Sequence, residues 1–284
     1  MGKFILSAFA DEYSDDFTEQ LEALKKFGID FIELRFIDKI NISELPDDKL
    51  KEVKSKLEYY GITVSAIGSP LGKIALDGDL KSHYNIAKRV FETANYFGVE
   101  NIRFFSFYAP KNKKIEDCNQ LFFEAVGSLV ELAEESNVTL CHENEALIYG
   151  ESPERCLELV THFKNRIKCV FDMGNFVLDG YEPYPHAYNL LREHIEYFHI
   201  KDALSAGAIV PPGKGEANIS SILKDFAKDM KKDTFITLEP HLQTFSGLNL
   251  LVGKQFDNPF KYPDPKTAFC DAVDKIKGIL SEIN

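Results

Sequence analysis

Four short apolar runs between positions 138 and 238 of this 284-residue chain lead into acids or carry an imidazole. Val138–His142 runs into Glu143-Asn144-Glu145, and Ile167–Phe171 into Asp172-Met173-Gly174-Asn175. Tyr197–Ile200 carries His199 ahead of Lys201-Asp202, and Thr234–Leu238 runs into Glu239-Pro240-His241. Acids beside apolar runs are headed for burial, and a buried carboxylate without a partner costs several kcal/mol. Convergence on one cation removes that cost. Three carboxylates and an imidazole suit a divalent ion such as Mn2+, Mg2+, Co2+ or Zn2+. Glu143, Asp172, His199 and Glu239 are therefore the candidate ligands of one divalent metal ion. Taken singly, each is explained as well by a salt bridge or a helix cap; four of them at the same place along consecutive runs favour the shared cation.

For these residues to meet, the runs must lie side by side. The whole chain alternates short β-branched runs with amphipathic ones. The strand candidates are Lys3–Ala8, Phe31–Leu34, Thr63–Ile67, Asn101–Phe105 and the four above, with helix candidates at 14–27, 47–60, 80–97, 116–136, 152–164, 184–194, 216–230 and 265–282. Start and stop signals bound several of them: Ser14-Asp15-Asp16 and Gly28, Pro46-Asp47-Asp48 and Gly61, Ser152-Pro153-Glu154. Continuous apolar strands alternating with helices imply parallel pairing with both sheet faces covered. Eight such units predict an α/β fold, a single (β/α)8 TIM barrel filling residues 1–284 as one domain. The rival is a doubly wound sheet, which expects fewer strands and a Gly-rich phosphate turn; the first strand instead meets Ala8-Phe9-Ala10-Asp11-Glu12. In a barrel, chemistry gathers at the C-terminal strand ends. The connection from Pro240 to Pro263, with Phe245, Phe256, Phe260 and Tyr262, is long enough for a lid or for a packed surface loop.

Composition narrows the partners. With 33 Lys+Arg against 45 Asp+Glu the formal charge is −12, which weighs against broad nucleic-acid binding. No apolar stretch approaches the ~20 residues of a membrane span. The five cysteines are odd in number and form no CxxC pair, as expected of a reducing cytoplasm.

The ordered set His142-Glu143-Asn144-Glu145, Asp172-Met173-Gly174-Asn175, His199-Ile200-Lys201-Asp202, Val210-Pro211-Pro212-Gly213-Lys214-Gly215-Glu216 and Thr237-Leu238-Glu239-Pro240 resembles the xylose isomerase-like TIM-barrel superfamily. That superfamily holds sugar and sugar-phosphate isomerases and epimerases, hydroxypyruvate isomerase, inosose dehydratase and the endonuclease IV type of AP endonuclease. The first half matches more loosely, through Phe31-Ile32-Glu33-Leu34-Arg35 and Gly61-Ile62-Thr63-Val64-Ser65. The resemblance places the family's metal ligands on Glu143 (with Glu145 the alternative), Asp172, His199 and Glu239. It implies a metal-stabilised enediolate, with Glu143 and Glu239 moving the proton on a small sugar, keto-sugar or sugar phosphate. Where many relatives have a second His, this chain has Asn175, an amide able to bind a hydroxyl and a poor metal ligand; one metal is therefore expected. A homo-oligomer is compatible with the resemblance.

Substrate contacts are expected from Asn175, Glu33, His241, Lys201 and Lys214. Against these stand blander readings: Glu33 neutralised by Arg35 or Arg103, Lys201 paired on the surface with Asp202, and Lys214 a plain loop lysine. His142 faces away from Glu143 in a regular strand and is left to packing. The alternative activities are a lyase acting on a keto-inositol or keto-acid at the same metal, an AP endonuclease-like hydrolase, and a non-catalytic sugar-binding barrel.

Overall fold

The eight strands all form and all run parallel. In chain order they are β1 (Phe4–Ala8), β2 (Phe31–Leu34), β3 (Thr63–Ile67), β4 (Asn101–Phe104), β5 (Thr139–Glu143), β6 (Ile167–Asp172), β7 (Ile195–Ile200) and β8 (Thr234–Leu238). This computed structural model describes residues 2–242 and 260–283, so most of the 240–263 connection lies outside the described residues. Around the strands stand α1 (Phe17–Lys26), α2 (Asp47–Tyr60), α3 (Leu80–Phe97), α4 (Asn119–Glu135), α5 (Pro153–His162), α6 (Met173–Leu178), α7 (Tyr188–Leu191), α8 (Ile219–Asp229) and α9 (Pro265–Ser281). Among the described residues no helix is long and apolar enough to cross a membrane.

The sheet runs β1-β8-β7-β6-β5-β4-β3-β2, a barrel closed everywhere except between β1 and β2, which no hydrogen-bonded ladder joins among the described residues. Side chains span that seam instead, as described below. Inside the barrel, alternation sorts the residues into layers. Ala66, Cys141, Val170 and Tyr197 form a small buried apolar floor, with Phe235 against it. Two residues further along their strands, Cys141 gives way to Glu143, Val170 to Asp172 and Tyr197 to His199. The floor thus sets the height at which the polar residues begin.

Local signals act much as the sequence suggests. The Asp16 side chain accepts from Glu19 N at the start of α1, and Ser152 does the same for Arg155 N at α5, ahead of Pro153. Gly98 closes α3 at φ 71°, a left-handed turn that costs a residue with a Cβ more.

Two segments differ from expectation. Residues 184–194 do not form one helix; they break into Pro183–Ala187, the four residues of α7, and Arg192–His194. Pro185 supplies no N–H and Tyr184 before it is extended (φ −143°, ψ 132°), which keeps the run from starting as a regular α-helix. The short helix α6, immediately after β6, was not expected. Asp172 nucleates it: its Oδ1 accepts from Asn175 N at 2.8 Å.

Candidate metal centre

Parallel register brings the four strand-end residues together. Asp172 on β6 lies directly opposite His199 on β7, and His199 opposite Thr237 on β8. Glu143 ends β5 and Glu239 follows β8, so Glu143 and Glu239 flank the Asp172–His199 pair along the wall. Their donor atoms all lie within 4.8 Å of one another, and all four residues are buried.

His199 shows why a cation fits. Its Nε2 donates to Glu33 Oε2 at 3.1 Å, while Tyr197 Oη donates to Glu33 Oε1 at 3.1 Å. Nδ1 therefore faces inward, 3.1 Å from Glu143 Oε1 and 3.2 Å from Glu239 Oε2. A bare lone pair between two carboxylate oxygens would be repelled, so this nitrogen calls for a proton or a metal ion. Burial alone would depress its pKa, but Glu143, Glu33 and Glu239 together raise it well above the ordinary histidine value. A carboxylate on the far imidazole nitrogen is also how metal-ligating histidines are commonly oriented. The donor set and its burial fit a divalent metal site.

Three buried cations surround the carboxylates. Arg35 donates from Nη1 to Glu239 Oε1 at 2.6 Å, from Nε to Asp11 Oδ2 at 2.9 Å and from Nη2 to Glu12 Oε1 at 3.2 Å. Its guanidinium lies over the Phe9 ring, 3.9 Å from the centroid. Arg35 follows β2, whereas Asp11 and Glu12 follow β1, so this cluster bridges the open seam. Arg103 Nη1 lies 3.1 Å from Glu143 Oε2, and its other nitrogens donate to the carbonyls of Gly68 and Ser69. Lys201 Nζ donates to Asp172 Oδ2 at 2.8 Å, Asn175 Oδ1 at 3.0 Å and Glu239 Oε2 at 3.3 Å. Burial would raise the Glu143 carboxyl, but His199 and Arg103 hold it down, to about 2. Glu239, opposed by burial, is kept well below its usual range by Lys201, His241 and His199.

Of the remaining expected residues, Asn175 stands inside the cluster; its amide donates to Asn144 O at 2.9 Å and faces Glu143 Oε1 at 3.5 Å. His241 lies beside it, with Nε2 3.4 Å from both Glu12 and Glu239. Glu33 lies behind His199 as its partner, and neither Arg35 nor Arg103 makes the ion pair with it that the sequence suggested. Lys201 is buried and pairs inward, not with Asp202, whose carboxylate instead accepts from the backbone N–H groups of Ala203, Gly213, Gly215 and Ala217. Lys214 is exposed, and among the described residues its side chain joins none of the cluster's contacts. Glu145 pairs with Lys73 at 3.0 Å, apart from the group of four that includes Glu143. His142 packs away from the cluster, its Nε2 3.0 Å from Ser106 Oγ.

Sequence reasoning missed Asn144, whose side chain clamps the backbone N–H and C=O of Asp172, and it undervalued Arg35 and Arg103. It also missed Gly174. A Cβ there would lie 2.7–2.8 Å from Lys201 Cγ, C and Cβ. Gly174→Ala should therefore lower stability by about 1–3 kcal/mol in chemical denaturation, through overpacking against Lys201.

The family model of the xylose isomerase-like TIM barrel matches residues 21–253, and the chain belongs to that family. No curated protein matches it significantly in sequence. Among solved structures it is similar to a D-allulose 3-epimerase from Methylomonas sp. in complex with D-allulose, at 13% identity and TM-score 0.74 over 100% of this chain and 98% of that one. It is similar to the probable 3-DHS dehydratase AsbF of Bacillus anthracis, at 18% identity and TM-score 0.68 over 84% and 92%. It is likewise similar to the IolI protein with a bound zinc atom, at 18% identity and TM-score 0.71 over 99% of each chain. At these identities the likeness is one of fold.

Proposed function

We propose that this protein is a divalent-metal-dependent isomerase or epimerase of a small sugar, keto-sugar or sugar phosphate. The observation that carries the reading is the convergence of Glu143, Asp172, His199 and Glu239 from consecutive strands onto one point at the C-terminal end of the barrel. The epimerase among its structural neighbours, with a sugar bound, and the neighbour with bound zinc support the same reading. When held by these four residues, a divalent ion supplies Lewis-acid polarisation of a substrate carbonyl.

The chain's own groups do the rest. Glu143 and Glu239 stand on either side of the Asp172–His199 pair, and each is kept ionised by buried cations, the state needed to accept a proton from carbon. Epimerisation follows when one glutamate takes the proton from carbon and the other, having taken a proton from solvent, delivers it to the opposite face; return of the abstracted proton to the adjacent carbon gives aldose–ketose isomerisation. Asn175 and Lys201 place an amide and an ammonium at the same height in the barrel, where substrate oxygens would take over contacts the ammonium now makes to Asp172, Asn175 and Glu239. Arg35 and Arg103 orient the two glutamates. Glu33 holds the His199 ring.

The test is a panel of ketoses and keto-inositols incubated with the protein and Mn2+, Mg2+, Co2+ or Zn2+ in deuterated water. Expected is C–H exchange that appears with metal and disappears with a chelator. Exchange indifferent to chelation removes the metal from the reading, and product lighter by one water assigns the chain to the dehydratases.

A further inference from the structure

Each candidate carboxylate ligand has its own buried cation from a separate strand end. Glu143 has Arg103 at 3.1 Å, Glu239 has Arg35 at 2.6 Å, and Asp172 has Lys201 at 2.8 Å. Each of the three carboxylates of the set thus faces a cation already built into the chain, with Arg35 facing Asp11 and Glu12 as well. The three cations are not alike in how they are held. Arg103 is tied to the carbonyls of Gly68 and Ser69, and Arg35 to Asp11 and Glu12, all outside the ligand set. Lys201 spends its three N–H bonds inside the cluster, on Asp172, Glu239 and Asn175. Its seat is made for it: Gly174 leaves room for its stem, and four backbone amides fix the neighbouring Asp202.

We infer that Lys201 is a built-in rival of the divalent ion, its ammonium holding the Asp172 and Glu239 carboxylates that the ion needs and so setting the metal affinity of the site. The inference rests on the metal reading above and goes beyond it: the metal is exchangeable, and one lysine decides how tightly it is held. Two like charges drawn to the same oxygens in a water-poor site oppose each other strongly. Removing the ammonium therefore frees ligand capacity for the metal. The same removal leaves Asp172 and Glu239 less compensated when no metal is added, so the metal-free protein loses stability.

Mn2+ is titrated into the full chain and its free-ion paramagnetic resonance signal is followed, with melting temperature measured with and without the ion. Lys201→Met and Lys201→Gln are compared with the wild type and with Lys231→Met at the opposite end of the barrel. Expected is Mn2+ binding at least tenfold tighter in both Lys201 variants, a lower melting temperature without metal, and a larger rise on adding it; Lys231→Met should behave as wild type. A lysine that only props the fold would lower the melting temperature without tightening the metal. If the wild type binds and the Lys201 variants bind equally or more weakly, the rivalry is overturned while the metal reading stands. If only the variants bind, the rivalry is supported in its strongest form. If none binds at millimolar Mn2+, both readings fall.

Discussion

Glu239→Gln should abolish metal-dependent C–H exchange, lowering it about 10^3-fold or more. This carboxylate is the hub of the cluster, touched by Arg35, Lys201 and His199 at 2.6, 3.3 and 3.2 Å. An amide of nearly the same shape can take no proton from carbon and is a weaker metal ligand. It also leaves two buried cations facing a neutral group, so part of the loss is expected in stability. Glu239→Asp separates the effects: it keeps the charge, should restore much of the stability, and misplaces the oxygen for proton transfer. Deuterium incorporation into substrate is the measurement, with circular dichroism to show that both variants are folded. A folded Glu239→Gln that turns over at the wild-type rate would remove this residue from the proton path.

The second large effect lies in stability. Arg35→Met should lower the unfolding free energy by about 3–5 kcal/mol in urea, because the guanidinium is buried among Asp11, Glu12 and Glu239 and nothing replaces its charge. The penalty should depend on pH. Burial raises the Glu12 carboxyl to about 8; Arg35 pulls it down, and Glu239 and Asp11 push it up. A carboxyl raised in the folded state favours folding below its unfolded value near 4.5 and withdraws that support as pH climbs toward 8. Losing Arg35 lifts it further: both proteins then lose stability in parallel between about pH 5 and 8, and the variant's extra deficit opens above pH 8, growing toward about pH 10. A deficit that does not grow between about pH 7 and about pH 10 would mean that Arg35 acts through packing alone, for instance on Phe9.

How far the sequence could be read follows from what each feature depends on. The barrel was legible because strand and helix periods are local. The clustering of Glu143, Asp172, His199 and Glu239 was legible because all four stand at or next to strand ends and register is regular between β6, β7 and β8 near them. A simple rule would have yielded more. Side chains two apart on a strand share a face, so Glu33 brings Arg35, His199 brings Lys201, and Glu239 brings His241 toward the same interior. Partner choice was not legible. Glu33 meets His199 across 166 positions, and β2 shifts register between Ile32 and Glu33, which no local pattern announces. The irregular start of 184–194 was written in Pro185. Helix α6 was not, since its start is a hydrogen bond accepted from Asn175 N by the same aspartate that reads as a ligand.

The open seam between β1 and β2 makes the barrel a split ring with a buried ionic clasp. Backbone hydrogen bonds hold the rest of the wall, but here the two lips meet through Arg35 and the acids that follow β1. Local opening concentrates where such bonding is thinnest. The lips are also where the chemistry is tensioned, because the same guanidinium reaches Glu239. Any breathing of the wall loosens the carboxylate at the centre, and any ion that draws Glu239 inward tugs on the clasp. Mechanical closure of the scaffold and the electrostatics of the centre are thus one variable, adjusted by one side chain.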